Sequence, residues 1–391
     1  PANDYIRVVR EDPAHKGLLF AGGEFGIYVS FDDGANWQSL RRNLPVVPIH
    51  DLMLVHGDLA AATHGRSFWI MDDIGPLEQM ADSVAKASVF LYQPRDTYRL
   101  GGGGGGGGGR RRDAIGTNPP GGSVFYYYLK AKPDSGTPVK LEVLDSTGAV
   151  IHAYTTGARE RGDRIEAKAG MNRFVWDMRY PDAATFTGLI MWQGSTRGPL
   201  APPGAYQVRL TAGATAATRT FHLIKDPRSG SSPADLQAQF ALLIKIRDRL
   251  SEANRAVSRI RELKEQITAV TSHLAGVANA PPIRQRADSL AAQLSRVEEA
   301  IYQVKNRSSQ DPLNFPIRLN NRIAALGGVV GGTDARPTDQ SQQVFDDLSG
   351  LLQTQLDRLR AVIDTDVPAF NQAVKGLDLP ALTVTAGRGG R

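Results

Sequence analysis

The chain has 391 residues, 41% of them hydrophobic and 22% charged, which predicts two to four folded domains and excludes a disordered polymer. The net charge of +6 is spread along the sequence except at Arg110, Arg111 and Arg112, so there is no basic footprint for nucleic acid, and no apolar run approaches the ~20 residues that span a bilayer. Cysteine is absent, which removes disulfides, thiolate metal sites and cysteine nucleophiles together.

Residues 1–100 contain short β-rich runs separated by turn residues, among them Leu18 to Ala21, Ile27 to Ser30 and Ser67 to Met71. Leu19 to Leu40 aligns with Leu59 to Met80 at an offset of 40 residues without a gap. Tyr28-Val29 then falls on Phe68-Trp69, and Asp32-Asp33 on Asp72-Asp73. A period near 40 with four short strands per unit is the spacing of β-propeller blades.

Residues 101–122 run from the tract Gly101 to Gly109 through three arginines to Pro119-Pro120-Gly121-Gly122. Glycine at that density favours a flexible linker. An arm with an arginine tip for an acidic partner is the rival reading, and a solvated charge run is preferred.

Residues 123–227 return to strands at Val124–Leu129, Val139–Leu144, Val150–Tyr154, Phe174–Met178, Tyr206–Leu210 and Thr218–Ile224. About seven strands in about a hundred residues fit an immunoglobulin-like sandwich. Asp145 to Gly148 reads as a hairpin turn.

From residue 228 to 378 the hydrophobic period changes from two to about three and a half. Ser232 caps a helix that has Pro233 at its first position. Its apolar seam runs from Leu236 and Phe240 through Leu243, Ile246 and Leu250 to Leu274. Pro281-Pro282 breaks it, and Leu290 to Val304 marks a second helix. Pro316 opens a third that Gly327-Gly328 ends, and Val344 to Val362 makes a fourth. Together they predict an all-α bundle or long helical hairpin, with 379–391 as a flexible tail. Heptad seams also permit pairing between chains, so an oligomer through these helices is the alternative to an intrachain bundle.

The sharpest local signal is Ser30-Phe31-Asp32-Asp33-Gly34-Ala35-Asn36-Trp37. Asp32 can accept turn amides, Gly34 supplies a φ that other residues avoid, and Trp37 covers the turn. The second copy keeps Asp72 and Asp73 but lacks the serine and the tryptophan. Before each copy lies a turn, Glu24-Phe25-Gly26 in one and His64-Gly65-Arg66 in the other. Glu24, His64 and Arg66 are therefore candidate ligand-binding residues, able to orient a polar ligand; the rival reading makes His64 and Arg66 inter-blade contacts. The seven histidines show no metal-ligand spacing, and no phosphate loop, nucleophile elbow or dinucleotide fingerprint is present, so neither metal nor cofactor is expected.

Ser30-x-Asp32-x-Gly34-x-x-Trp37 resembles the Asp-box, or BNR repeat, of sortilin-like propellers in secreted bacterial proteins, many of them labelled glycosyl hydrolases. Residues 1–100 look like the last two blades of such a propeller. Asn172 to Asp177 and Pro202 to Val208 resemble the Ig-like module of flagellar hook-capping proteins and secretion-associated tails. The resemblance implies incomplete propeller blades, a sandwich, then helices, in an extracytoplasmic bacterial protein. It also implies that the remaining blades are supplied from upstream of Pro1 or by another chain, because two blades leave open edges. The expected role is non-catalytic recognition of a protein, peptide or glycan. The alternative is a glycoside hydrolase with its active site mostly in upstream blades, for which Glu24 and Asp51 are the only carboxylates to name here.

Overall fold

The computed structural model describes residues 3–100, 116, 118–134, 136–274 and 280–376. The glycine tract, Arg110 to Arg112 and the expected tail lie outside the described residues. The chain divides into two compact units, a β unit of Pro1–Met178 with Pro203–Pro227 and a helical unit of Arg179–Pro202 with Arg228–Arg391.

The β unit begins with an antiparallel meander of β1 (Val8–Glu11), β2 (Leu19–Gly22), β3 (Ile27–Ser30) and β4 (Gln38–Ser39), paired in chain order. A second follows, of β5 (Ile49–Val55), β6 (Asp58–Thr63) and β7 (Phe68–Met71). Strand for strand, the second meander lies close to 40 residues after the first. Backbone conformation repeats with it: Gly17 and Gly57 have φ of 82° and 76°, and Asp33 and Asp73 have φ of 58° and 56°. Asparagine and aspartate tolerate the left-handed region better than most L-residues, which is why an acidic residue can stand at this position in both copies.

The two meanders share one core. Phe20, Val29, Ile49, Leu52, Leu59 and Ala61 are each at most 3% exposed. Gly22 permits the close approach of the sheets, since a Cβ there would lie 2.7 Å from Ile49 Cγ2. In the first sheet the face carrying Phe20 also carries Val29, Gly22 and Ile27, and it is buried. The matching face of the second sheet carries Ala60 with Ile70 and Ala62 with Phe68. There Phe68 is 77% exposed, Ile70 62% and Met53, which pairs with Ala60, 61%.

After two short helices, α1 (Gly75–Glu78) and α2 (Asp82–Lys86), two further sheets form. One has the order β13 (Gly170–Trp176), β10 (Ser123–Leu129), β8 (Val89–Leu91). The other has the order β12 (Val150–Thr155), β11 (Val139–Leu144), β14 (Gly204–Ala212), β15 (Thr215–Lys225), β9 (Thr97–Arg99), with β9 parallel to β15 and the other pairs antiparallel. Alternation along β10 turns Phe125, Tyr127 and Leu129 inward. Phe125 meets Phe221 of the other sheet at 5.1 Å between ring centroids, and Trp176 meets Tyr206 at 5.8 Å.

The boundary expected near residue 100 therefore lies earlier, because β8 and β9 pair with β10 and β15. Three-residue strands carry too little alternation to be assigned before their partners are known.

The helical unit is built on α3 (Pro233–Ser272), with α4 (Ala280–Ile301), α5 (Leu319–Val330), α6 (Asp339–Ala361) and α7 (Val367–Lys375). Its start is the expected cap: the Asp235 amide donates to Ser232 Oγ, and the Ser232 amide donates to Asp235 Oδ2. Gly327-Gly328 does not end α5. Gly327 faces Ile246 of α3, where a Cβ would sit 3.4 Å from Cγ2, so glycine here allows a close helix crossing. The segment Arg179–Pro202, expected within the sandwich, joins the helices instead. Buried Asn254 donates to Ala184 O at 2.7 Å, Ser251 Oγ accepts from the Ala184 amide, and Asn321 both accepts from and donates to the backbone of Trp192. These polar side chains satisfy a loop that would otherwise bury unpaired amides. No helix among the described residues is long and apolar enough to cross a membrane.

Candidate functional site

The turn that carries Glu24 is organised by Asp4, a residue to which no sequence motif pointed. Asp4 Oδ1 accepts from the Glu24 amide at 2.6 Å and Oδ2 accepts from the Tyr28 hydroxyl at 2.6 Å. That hydrogen bond pushes the Tyr28 hydroxyl up to about 12. The Glu24 carboxylate accepts from both Nε and Nη2 of Arg7, the latter at 2.6 Å. His64 stacks on His50 of β5 at 5.0 Å between ring centroids. Arg66 is exposed, and its carbonyl accepts from Trp69 Nε1.

The two turns meet at the start of β5. The Ile49 amide donates to Gly23 O, and the His64 amide donates to Pro48 O, each at 2.9 Å. Consecutive residues thus hold both turns, although among the described residues the side chains of Glu24, His64 and Arg66 make no hydrogen bond or ion pair with one another. The aromatic contact of His64 lies within its own sheet, not between sheets. Asp51, the second carboxylate named from sequence, pairs with Arg10 at 2.7 Å.

The Ser30–Trp37 turn has the expected internal bonding. Ser30 Oγ donates to Asp32 Oδ1 at 2.8 Å and accepts from the Gly34 amide at 2.9 Å. Asp32 also accepts from the Asn36 amide and side chain. The Asn36 side-chain bond is the largest cause holding the Asp32 carboxyl below its ordinary value. Gly34 has φ of 87°, and a Cβ there would lie 3.8 Å from the Trp37 ring. These contacts make the turn a structural device.

At the corresponding turn of the second meander, the Asp73 amide donates to Asp58 Oδ1, and Asp73 Oδ1 accepts from the Gly75 amide. Arg95, between β8 and β9, closes the group with Nη1 2.7 Å from Asp58 Oδ1 and Nη2 2.8 Å from His56 O. Burial raises both the Asp72 and Asp73 carboxyls, Asp58 adds to this, and Arg173 and Arg95 oppose it.

A cleft of about 930 Å³ opens beside this turn, within the β unit. Asp72, Asp73 and Trp69 line it from the second meander, Arg41 and Asn43 from the segment after β4, and Tyr126, Tyr128 and Arg173 from the outer face of the β13–β10–β8 sheet. Tyr126 and Arg173 are register partners across β10 and β13. Sequence reading found Asp72 and Asp73 through the repeat but missed the tyrosines and Arg173, which stand more than fifty positions away; the alternation of β10 was their only local signal.

Asp12, His15 and Glu78 bring one potential ligand atom each within 4.8 Å of one another. The Asp12 Oδ1 atom accepts from the Ala14 and His15 amides at 2.8 and 2.9 Å, with His15 Nδ1 at 3.3 Å. Turn formation accounts for these contacts. In the helical unit, buried Glu298 receives Arg261 Nε at 2.8 Å and Lys264 Nζ at 3.1 Å, which ties α4 to α3.

No known protein family and no curated protein matches the chain. Among solved structures, the extracellular domain of a one-component system from B. thetaiotaomicron aligns at 9% identity over 57% of this chain and 26% of that one, with a TM-score of 0.16. A second, named pT26-6p, aligns at 11% identity over 66% of this chain and 46% of that one, with a TM-score of 0.13. The chain thus spans less than half the length of either.

Proposed function

We propose that this chain is part of an extracytoplasmic bacterial recognition protein, in which the two meanders are Asp-box propeller blades and an Ig-like sandwich and helices supply attachment surfaces. Its turns at Glu24 and at His64 to Arg66 face a protein, peptide or glycan partner that is bound and not transformed. The observation that carries the reading is the 40-residue repeat, in which strands, turns and left-handed residues recur together. The exposed apolar face at Met53, Phe68 and Ile70 supports continuation by further blades, on the same polypeptide or another chain, because its counterpart in the first meander is buried.

The rival reading as an Asp-box glycoside hydrolase has less support, since Glu24 and Asp51, the carboxylates it would use, are each held by an arginine. Peptide and glycan arrays probed with the whole chain test the proposal. Saturable capture that weakens in Arg66→Ala and Glu24→Gln is expected. Shortened oligosaccharide products that vanish in Glu24→Gln would establish the hydrolase reading instead.

A further inference from the structure

We propose that the cleft between the Asp72–Asp73 turn and the outer face of the β13–β10–β8 sheet binds a neutral oligosaccharide. This site is separate from the turns of the recognition reading: His64 to Arg66 precede β7 and Asp72-Asp73 follow it, so the two lie at opposite ends of one strand. The inference stands whether or not the meanders belong to a propeller.

Three features converge on that ligand class. The first is aromatic surface. Alternation sends Phe125, Tyr127 and Leu129 into the sandwich core and leaves Tyr126 and Tyr128 on the outer face, half-buried and lining the cleft, with Trp69 contributed by the second meander. Rings of this kind pack against the apolar C–H face of a sugar while their polar atoms stay bonded; the Trp69 indole N–H already donates to Arg66 O.

The second is a pair of opposite charges that the fold does not use. Asp73 is engaged by its own turn, but among the described residues the Asp72 carboxylate and the Arg173 guanidinium make no hydrogen bond or ion pair and act on each other only through space. A sugar hydroxyl is both donor and acceptor, so neighbouring hydroxyls can satisfy a carboxylate and a guanidinium at once. An anionic ligand would meet Asp72 and Asp73, and a cationic one would meet Arg41, Arg42 and Arg173, so the mixed lining disfavours a uniformly charged ligand of either sign.

The third is size. About 930 Å³ lies near the upper end of the ~300–1,000 Å³ common for small-molecule sites, which suits several linked rings better than one.

Calorimetry on the whole chain with cellohexaose, xylohexaose and mannohexaose tests the proposal, with a galacturonate hexamer and hexalysine as the charged comparisons. Saturable binding of at least one neutral hexamer is expected, weakened about tenfold or more in Arg173→Gln and in Asp72→Asn and unchanged in Lys130→Gln. Both cleft substitutions are at exposed residues, and circular dichroism verifies that the variants fold. Binding of a charged hexamer alone, or of none, overturns the proposal. So does binding of a neutral hexamer that both cleft variants retain; loss of that binding in Arg66→Ala would then assign it to the turns and leave the recognition reading intact.

Discussion

The two meanders have the same strand order and the same left-handed positions, yet they are stabilised by different chemistry. In the first, the turn after β3 is closed by side chains of its own segment, Ser30, Asp32 and Asn36. In the second, the turn after β7 is closed from a distance, by Asp58 of β6 and, through it, by Arg95. The first meander buries the face that the second exposes. A repeat can therefore conserve a backbone path while the hydrogen bonds that hold it move from local to long-range partners. This explains why the second copy is the fainter one in sequence.

The largest test of that contrast is in the apolar faces. Phe20→Ala should cost about 3–5 kcal/mol, because it empties a fully buried position in the joint core. Phe68→Ser, on the matching exposed face, should change stability by no more than about 0.5 kcal/mol. Urea denaturation of both variants measures the difference; equal losses would mean that the second face is covered in solution.

Next is the turn itself. Ser30 is fully buried and bonded to both Asp32 and Gly34, so Ser30→Ala should lower stability by about 1–2 kcal/mol. Ile70, 40 positions later in sequence but on the exposed face of its own sheet, has no group for such bonds, and Ile70→Thr should be close to neutral in the same assay.

The two turns should also respond to acid in opposite directions. The Asp32 carboxyl is lowered from its ordinary value of 3.8, so it contributes stability above that pH, which is lost as pH falls through the depressed value. The Asp73 carboxyl is raised by burial, so its protonated form is favoured in the fold; that contribution is present below 3.8 and is lost as pH rises through the elevated value. Asp32→Asn should therefore destabilise the protein at about pH 7 and Asp73→Asn should stabilise it there. Carboxyl-carbon NMR titrations locate the two midpoints on either side of the ordinary value.

The smallest effect is expected at Asp33, where φ is 58°. Asp33→Gly removes Cβ crowding but adds freedom to the unfolded chain, and the two should cancel to within about 0.5 kcal/mol.

Much of the fold was legible locally. The period of 40, the hairpin at Asp145 to Gly148, the helix cap at Ser232 and the apolar seam of α3 each arise from neighbours in sequence, where turn chemistry and side-chain period act directly. Glu24, His64 and Arg66 were legible as turn residues. The ion pair of Glu24 with Arg7 and the stacking of His64 on His50 were not, because both partners come from other strands.

Local chemistry was thus enough to specify the longer strands, the cap at Ser232, the seam of α3 and the acidic turn residues. Long-range packing settled the rest: the recruitment of β8 and β9 into the two later sheets, the transfer of Arg179–Pro202 to the helices, and the meeting of Asp72 with Tyr126 and Arg173 at one cleft. The reason is physical. A short strand or a polar loop is stable only when distant groups complete its hydrogen bonds and cover its apolar side, and those partners carry no signature at the place where they are needed.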